Sequence, residues 1–257
     1  MYDDRQLIFH QLYEREASAL TYLLADRGTR EAVLIDPVLE TAKRDLGLID
    51  ELGLTLRFIL ETHVHADHVT SAATLRAASG AKIAISRASG AECADLLLED
   101  GDSVSFGKFA LTALATPGHT DGCMSFCSEG MVFTGDCLLV RGTGRTDLQG
   151  GSAGRMYDSI HSKLWTLPPD TTVYPAHDYR GHLCSTIGLE RLFNPRIGGA
   201  RSRQEFIQIM AGLALAPPTK IGQAVPTNRR CGLAPPAAPP EICQHDLTLI
   251  SPLKETM

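Results

Sequence analysis

The sequence predicts an α/β (α+β) domain in which strands form the interior and helices cover them. Three observations support this. The chain has 257 residues, of which 44% are hydrophobic and 21% charged, a composition typical of soluble globular proteins. Its length fits one large domain or two small ones. Short apolar runs that end at Gly or Pro alternate with stretches of helical periodicity, and the sequence has no internal repeat. One compact layered domain is the simplest interpretation.

In the first hundred residues, strands alternate with helices. The run 32–36 is a strong strand because it is apolar and closed by Pro37. The stretch 41–52 predicts a helix, since Leu46, Ile49 and Leu52 share one side and Gly53 occupies the C-terminal cap position. By the same criteria we expect strands at 7–10, 21–24, 57–61 and 82–86, and helices at 66–79 and 91–98.

The second half begins with strands and turns between 103 and 133, separated by glycines. A helix at 154–167 follows from Met156, Ile160 and Leu164, which recur every four residues. A strand at 171–175 and a helix at 204–213 come next. Prolines then accumulate, so we expect one domain over 1–232 and a Pro-rich tail over 233–257.

Charge and cysteine content restrict the partners and the compartment. The 24 basic and 30 acidic residues give a net charge of -6, which does not suggest a nucleic acid or an anionic membrane surface as partner. No apolar run reaches the roughly 18 residues of a membrane span. The seven cysteines are odd in number, scattered and without a CxxC pair, which favours a reduced compartment over a disulfide framework. We expect a cytoplasmic protein, or one of the mitochondrial matrix if a presequence has been removed.

The strongest chemical signal is an HxHxDH cluster, Thr62-His63-Val64-His65-Ala66-Asp67-His68, directly after an apolar strand. At the end of a strand, residues two apart point the same way, so His63 and His65 can converge. Asp67 and His68 follow where the chain turns towards a helix. A polar surface turn is the alternative, but four metal-capable side chains so close together favour a metal site.

Three more candidate ligands follow apolar strands or tight turns. His119 lies after Pro117-Gly118, Asp136 after 131–135, and His177 after 173–176. Each alone would more often be structural than a ligand. Together with the first cluster they repeat one arrangement, an apolar strand followed by a potential ligand, which is how rigid scaffolds present functional groups.

This pattern, HxHxDH, His119, Gly135-Asp136 and His177, resembles the metallo-β-lactamase superfamily. The resemblance implies an αββα sandwich with the site at one edge of the two sheets. Five further segments resemble the persulfide dioxygenases, also called sulfur dioxygenases or ethylmalonic-encephalopathy-type proteins. They lie at 31–38, 116–120, 144–147, 174–179 and 225–232. This closer resemblance implies oxidation of glutathione persulfide by O2 to sulfite and glutathione, in a chain that forms a homodimer.

The resemblance implies one Fe(II) per chain, held by His63, His119 and Asp136. Two imidazoles and one carboxylate on one face leave coordination positions for O2 and the substrate sulfur. The remaining polar residues of the cluster would orient these ligands: His65, Asp67, His68 and His177. The same residues form the second metal site in dinuclear relatives such as glyoxalase II. The ligands alone therefore permit one iron or two zinc ions, and the closer resemblance selects the first.

Glutathione carries two carboxylates and one ammonium, so its pocket should offer positive charge and hydrogen-bond donors. Arg145 is a candidate because Arg binds carboxylates bidentately. Tyr179 can donate a phenolic hydrogen bond, and Asn228 and Arg230 match the family's C-terminal segment. Ordinary surface or packing roles are the alternatives for all four. Cys231 fits the family pattern too, and equally fits a small buried apolar position.

The main alternative function is a thioester hydrolase of the glyoxalase II type, in which two metals generate an attacking hydroxide. The residues after Gly144-Arg145 are Thr146, Asp147 and Leu148 rather than the aromatic pair usual there. A nuclease would need a broad basic track, which the net charge of -6 does not suggest. A non-catalytic binding protein would have no physical need for so many clustered polar side chains.

Overall fold

The central strands of the first sheet are apolar on both faces, as two covering layers require. In the computed structural model, which describes residues 6–234, Leu20, Tyr22 and Leu24 face the second sheet. Leu23 and Ala25 of the same strand pack on the opposite, helical side. The six strands lie side by side in chain order: β1 (Leu7–Glu14), β2 (Ala19–Asp26), β3 (Glu31–Ile35), β4 (Thr55–Leu60), β5 (Lys82–Ser86) and β6 (Leu96–Leu98).

The second sheet also has six strands and packs face to face on the first. Its aromatic residues Phe106, Phe126 and Phe133 join Tyr22 in the core between the sheets. Its strands also lie side by side in chain order: β7 (Ser103–Phe106), β8 (Phe109–Ala115), β9 (Met124–Ser128), β10 (Met131–Gly135), β11 (Thr172–Pro175) and β12 (Ser185–Thr186). β10 and β11 are parallel, and the other pairs of this sheet are antiparallel.

Helices cover the outer face of each sheet. α1 (Ala42–Glu51) and α2 (Ala72–Ser79) pack on the first sheet. α3 (Ala153–Ser159), continued by a π-helical turn over Ile160–Leu164, and α5 (Arg203–Ala211) pack on the second. The remaining α-helices of the described residues are α4 (Ile187–Phe193) and α6 (Ile221–Asn228), and short 3-10 helices lie at Leu39–Thr41 and Arg87–Ser89. The αββα sandwich is therefore confirmed. Within residues 6–234, no helix combines the length and apolar character needed to cross a bilayer.

Two predicted helices differ from the structure. The helix expected at 66–79 begins only at Ala72, because Thr70 N–H is bonded to the Asn228 side chain instead of to a helical carbonyl. The helix expected at 91–98 is wrong. Leu96–Leu98 instead pairs with β5 as an edge strand, and Asp95 accepts a hydrogen bond from Ile83 N–H. Pairing with β5 makes this short apolar run a strand, and the local sequence pattern could not distinguish a strand from a helix here.

The C-terminal region holds two further departures. The helices α4 and α6 were not expected, and α6 contains Pro226.

Cys93 and Cys231 form a disulfide, so the expectation that the cysteines are reduced is wrong for this pair. Cys123, Cys127, Cys137 and Cys184 are free thiols. From residue 235 onward, the predicted tail lies outside the described residues.

Candidate metal centre

The candidate site lies where strands of both sheets end at one edge of the sandwich. β8 and β10 both run antiparallel to β9, and β11 runs parallel to β10, so these three strands end on the same side. The loops after them carry His119, Asp136 and His177. The loop after β4 joins this edge from the first sheet, where Met124 N–H donates to Thr62 O at 2.8 Å. Topology thus brings all four parts of the sequence pattern together.

A first group of metal-capable donors consists of His63, His119 and Asp136. One ligand atom from each lies within 4.8 Å of the others. The two imidazole rings are perpendicular, with centroids 4.9 Å apart, and His119 Nε2 lies 3.5 Å from Asp136 Oδ2. Both histidines are buried. The three side chains therefore face one small volume from different directions.

Hydrogen bonds fix which ring nitrogen of each histidine faces that volume. His63 Nδ1 lies 3.0 Å from Thr62 Oγ1, whose own hydroxyl donates to Asp36 Oδ2 at 2.7 Å. The Thr62 oxygen therefore accepts the Nδ1 proton, and Nε2 keeps its lone pair. His119 Nδ1 donates to Arg145 O at 2.7 Å with the same result. Burial and the neighbouring imidazoles lower the pKa of His63 well below its ordinary value, so the ring is neutral. Neutral imidazoles oriented in this way are ready to bind a metal.

Replacing Thr62 by valine should lower the affinity for the metal by about 10–100-fold, because the isosteric side chain can neither accept the His63 proton nor bond Asp36. Metal retention during titration with a chelator measures the effect. Thr62→Ser keeps the hydroxyl and is the matched control, which should retain metal like the wild type. Equal retention by the valine variant would show that the hydroxyl does not orient His63.

A second donor group borders the first. Donor atoms of His65, Asp67 and His177 lie within 4.8 Å of one another. His177 Nε2 is 3.5 Å from Asp67 Oδ2 and 3.7 Å from Asp136 Oδ1, while its Nδ1 donates to Ala17 O. His68 Nδ1 lies 3.2 Å from Asp67 Oδ2. All seven side chains that the sequence selected are therefore gathered at one edge.

Unsatisfied buried atoms support cation binding at this place. Asp136 Oδ1 and His68 Nε2 are buried and have no hydrogen-bond partner among the described residues. A buried carboxylate oxygen without a partner is costly unless a cation neutralises it. The donor set and these two atoms fit a metal ion.

Two acidic residues behind His65 were not predicted from the sequence. Asp36 Oδ1 lies 3.3 Å and Glu61 Oε2 3.5 Å from His65 Nε2, and all three side chains are buried. Burial alone would lower the pKa of His65, but these carboxylates raise it well above its ordinary value. Asp36 and Glu61 each follow an apolar strand, the same signal that identified the ligands. Donor atoms of Asp36, Glu61 and His65 lie within 4.8 Å of one another, so His65 stands between these carboxylates and the second donor group.

A cavity of about 450 Å³ opens onto the donor groups. Asp67, His119, Asp136 and His177 form its inner wall. Tyr179 also lines it, with its ring stacked on His177 at 5.5 Å between centroids. The cavity is large enough for a peptide-sized ligand that reaches inward to the metal-capable groups.

Arg145 also lines this cavity, but its guanidinium is already engaged. Nε and Nη2 bond both oxygens of Asp147 at 2.6 and 2.7 Å. Nη1 donates to Ala216 O at 2.7 Å, and Nη2 also reaches Leu215 O at 3.2 Å. The side chain therefore braces the cavity wall at 215–216 rather than presenting a free fork to a substrate.

Asn228 and Arg230 lie away from the cavity. Asn228 is buried, and its Nδ2 donates to His65 O at 2.9 Å and to His68 O at 2.8 Å. Its Oδ1 accepts from Thr70 N–H at 2.9 Å. The expectation of a substrate contact is thus corrected to a structural role, because every polar atom of this amide is used by the 65–70 backbone. Arg230 is not among the residues that line the cavity either.

Comparisons with known proteins agree with this geometry. The family model described as the metallo-beta-lactamase superfamily matches residues 16–177. The mitochondrial persulfide dioxygenase ETHE1 of Homo sapiens is 52% identical over 235 residues, which cover 90% of this chain and 91% of the human protein. The crystal structure of ETHE1 from Myxococcus xanthus is 51% identical, with a TM-score of 0.86 over 88% of this chain and 99% of that one. A TTHA1623 structure in a di-iron-bound form is 28% identical, with a TM-score of 0.62 over 72% of this chain and 98% of that one.

Proposed function

The chain belongs to the metallo-β-lactamase superfamily and to the persulfide dioxygenases within it, and we propose that it oxidises glutathione persulfide at a single iron ion. One persulfide, one O2 and one water give one glutathione and one sulfite. The observation that carries the proposal is 52% identity over 90% of the chain to the human persulfide dioxygenase, together with the donor group of His63, His119 and Asp136.

The donor set fits ferrous iron. Two imidazoles and one carboxylate are the ligands expected for non-haem Fe(II) oxygenases. When bound, the iron supplies a redox-active centre with open positions, which zinc cannot replace because it has no accessible redox change. The single carboxylate of Asp136 leaves the centre with net positive charge, which suits an anionic sulfur nucleophile.

The surrounding residues of this chain hold the ligands in place. Thr62 and the Arg145 carbonyl accept the Nδ1 protons of His63 and His119, so both rings present Nε2. Ala17 O accepts the Nδ1 proton of His177. Preorganised ligands beside a cavity that opens onto them bring both reactants to one place, which lowers the entropic part of the barrier.

The cavity wall suits the tripeptide part of the substrate. Besides Arg145, three arginines line it: Arg141, Arg180 and Arg196. Two of them have protein partners: Arg141 forms an ion pair with Glu190, and Arg196 donates to Thr143 O. Arg180 and Arg196 pair with no carboxylate among residues 6–234, so their charges can bind a ligand that carries two carboxylates. Tyr179 adds a phenolic donor beside His177.

Arg145 provides a prediction about substrate affinity. Replacing it by lysine should raise KM by about tenfold with little change in kcat, because a lysine cannot form the forked hydrogen bonds that brace 215–216. Replacing it by methionine, which has no charge, should raise KM to a similar extent. Arg191→Lys, in a residue outside the cavity, is the control. If the lysine variant kept the wild-type KM while the methionine variant had a raised KM, the positive charge of residue 145 would instead bind the substrate directly.

Oxygen consumption distinguishes the proposed reaction from thioester hydrolysis. Protein purified without added metal is supplied with glutathione persulfide in an oxygen electrode, and sulfite is quantified. We expect one O2 consumed per sulfite formed and no hydrolysis of S-lactoylglutathione. Hydrolysis of the thioester without persulfide-dependent O2 uptake would favour the glyoxalase II type of reaction.

A further inference from the structure

The helix α6, near the end of the described residues, packs against the 65–70 turn, which carries three of the clustered side chains. The Asn228 amide in α6 makes three hydrogen bonds to this turn, to His65 O, His68 O and Thr70 N–H. All three are 2.8–2.9 Å long and buried. The position of α6 therefore sets the backbone of 65–70, on which His65, Asp67 and His68 stand.

The residue three positions further on is covalently fastened. Cys231 is disulfide-bonded to Cys93, 138 residues earlier in the chain, with their Cα atoms 6.1 Å apart. Two backbone hydrogen bonds flank this link: Glu92 N–H donates to Arg229 O at 2.9 Å, and Ala73 N–H donates to Cys231 O at 2.8 Å. The disulfide joins the end of α6 to the 91–95 loop next to α2.

The backbone at this junction is in an unfavourable conformation. Cys231 has φ of 56°, in the left-handed region that non-glycine residues rarely adopt. At Gly232, a Cβ would lie 2.2 Å from Thr70 O, so the chain passes directly against the turn. Such a conformation persists only where its surroundings enforce it. The disulfide is one of the constraints that enforce it here.

We propose that Cys93 and Cys231 are a redox-active pair that sulfane sulfur oxidises to the disulfide, and that the disulfide locks Asn228 against the 65–70 turn. The proposed function enters only through the oxidant, since a persulfide is the substrate of that reaction. The turn beside the metal centre is therefore more rigid when persulfide is abundant and the disulfide has formed, and less rigid when the two thiols are reduced.

The chemistry balances without any other oxidant. Cys93 is half-buried and Cys231 buried, so Cys93 is the thiol that a small molecule reaches first. Its thiolate attacks the outer sulfur of RS–SH and displaces RS⁻, which leaves a persulfide on Cys93. The Cys231 thiolate then attacks the Cys93 sulfur and displaces HS⁻. Two thiols lose two electrons in total, and one sulfane sulfur is reduced to sulfide.

Anaerobic oxidation tests the chemical step. The holoenzyme is reduced, freed of reductant and treated with glutathione persulfide under argon, so that oxygen-dependent turnover cannot consume the reagent. After alkylation, mass spectrometry should find the Cys93 and Cys231 peptides cross-linked, with one sulfide released per chain. Cys184→Ser, which removes an exposed free thiol, should behave like the wild type, and Cys93→Ser should form no link. Persulfide treatment that leaves both thiols alkylatable overturns the proposal.

Hydrogen exchange tests the structural consequence. Peptides that cover 65–70 should exchange about tenfold more slowly in the oxidised holoenzyme than in the reduced one, because opening this turn would require α6 to move. Asn228→Ala should remove most of this difference while the disulfide still forms. Equal exchange in the two redox forms of the wild type would refute the lock. Failure of the proposed function is seen separately, as absent O2 uptake in air.

Discussion

Replacing His119 by alanine should abolish persulfide-dependent O2 uptake and strip the protein of iron. His119 supplies one of only three protein donors in the first group, and its Nε2 faces Asp136 at 3.5 Å. Loss of a direct ligand should exceed the roughly 10–100-fold effect of losing a residue that only orients one. We therefore expect iron content and activity to fall together by more than about 100-fold.

The measurement is iron per chain in anaerobically purified protein, paired with oxygen consumption. His161→Ala is a suitable control, since His161 lies on the helical layer, stacked on Tyr157, and its Nδ1 bonds Tyr157 O. This control should keep both iron and activity. Wild-type iron content in the His119 variant would show that the ligand assignment is wrong.

Replacing Gly144 by alanine should also weaken iron binding, although this residue has no side chain that could contact the metal. A Cβ at this position would lie 2.5 Å from Asp136 O, 2.9 Å from Asp136 Cβ and 2.9 Å from His119 Nδ1. The atoms that must give way belong to two of the three donors, and Gly144 N–H also bonds Asp136 O at 2.7 Å. We expect at least about tenfold weaker iron binding and a similar loss of kcat.

Gly142→Ala is the matched control in the same loop. A Cβ there would meet only Leu139 Cβ, at 3.9 Å, which is ordinary contact. Chelator competition and circular dichroism should show that both variants fold and that only the Gly144 variant loses iron. If both variants bind iron equally well, the close approach at Gly144 does not position the donors.

Local pattern was sufficient for the strongly periodic elements. The buried strands around Val33 and Ile35, and the helices with Met156 or Phe206 on their inner faces, lie where their apolar spacing placed them. The metal-capable residues were identified for a related reason, because each follows an apolar strand and the two sheets end at one edge. Regular alternation and strand ends are properties of a sequence that can be recognised without a partner element.

What could not be predicted depends on contacts between distant segments. Leu96–Leu98 is a strand because β5 offers an unpaired edge, which no local signal reveals. Arg145 fits a carboxylate, and its fork was expected to bind substrate, but Asp147 two residues on already occupies it. Asn228 lies 163 residues from His65, so its place behind the turn follows from the folded chain alone.

The most direct test of the single-iron assignment is an anomalous diffraction experiment at the iron edge on crystals of the protein isolated anaerobically without added metal. We expect one iron peak per chain, within bonding distance of His63, His119 and Asp136. Two metal peaks that share Asp136, with zinc rather than iron at the second donor group of His65, Asp67 and His177, would contradict it.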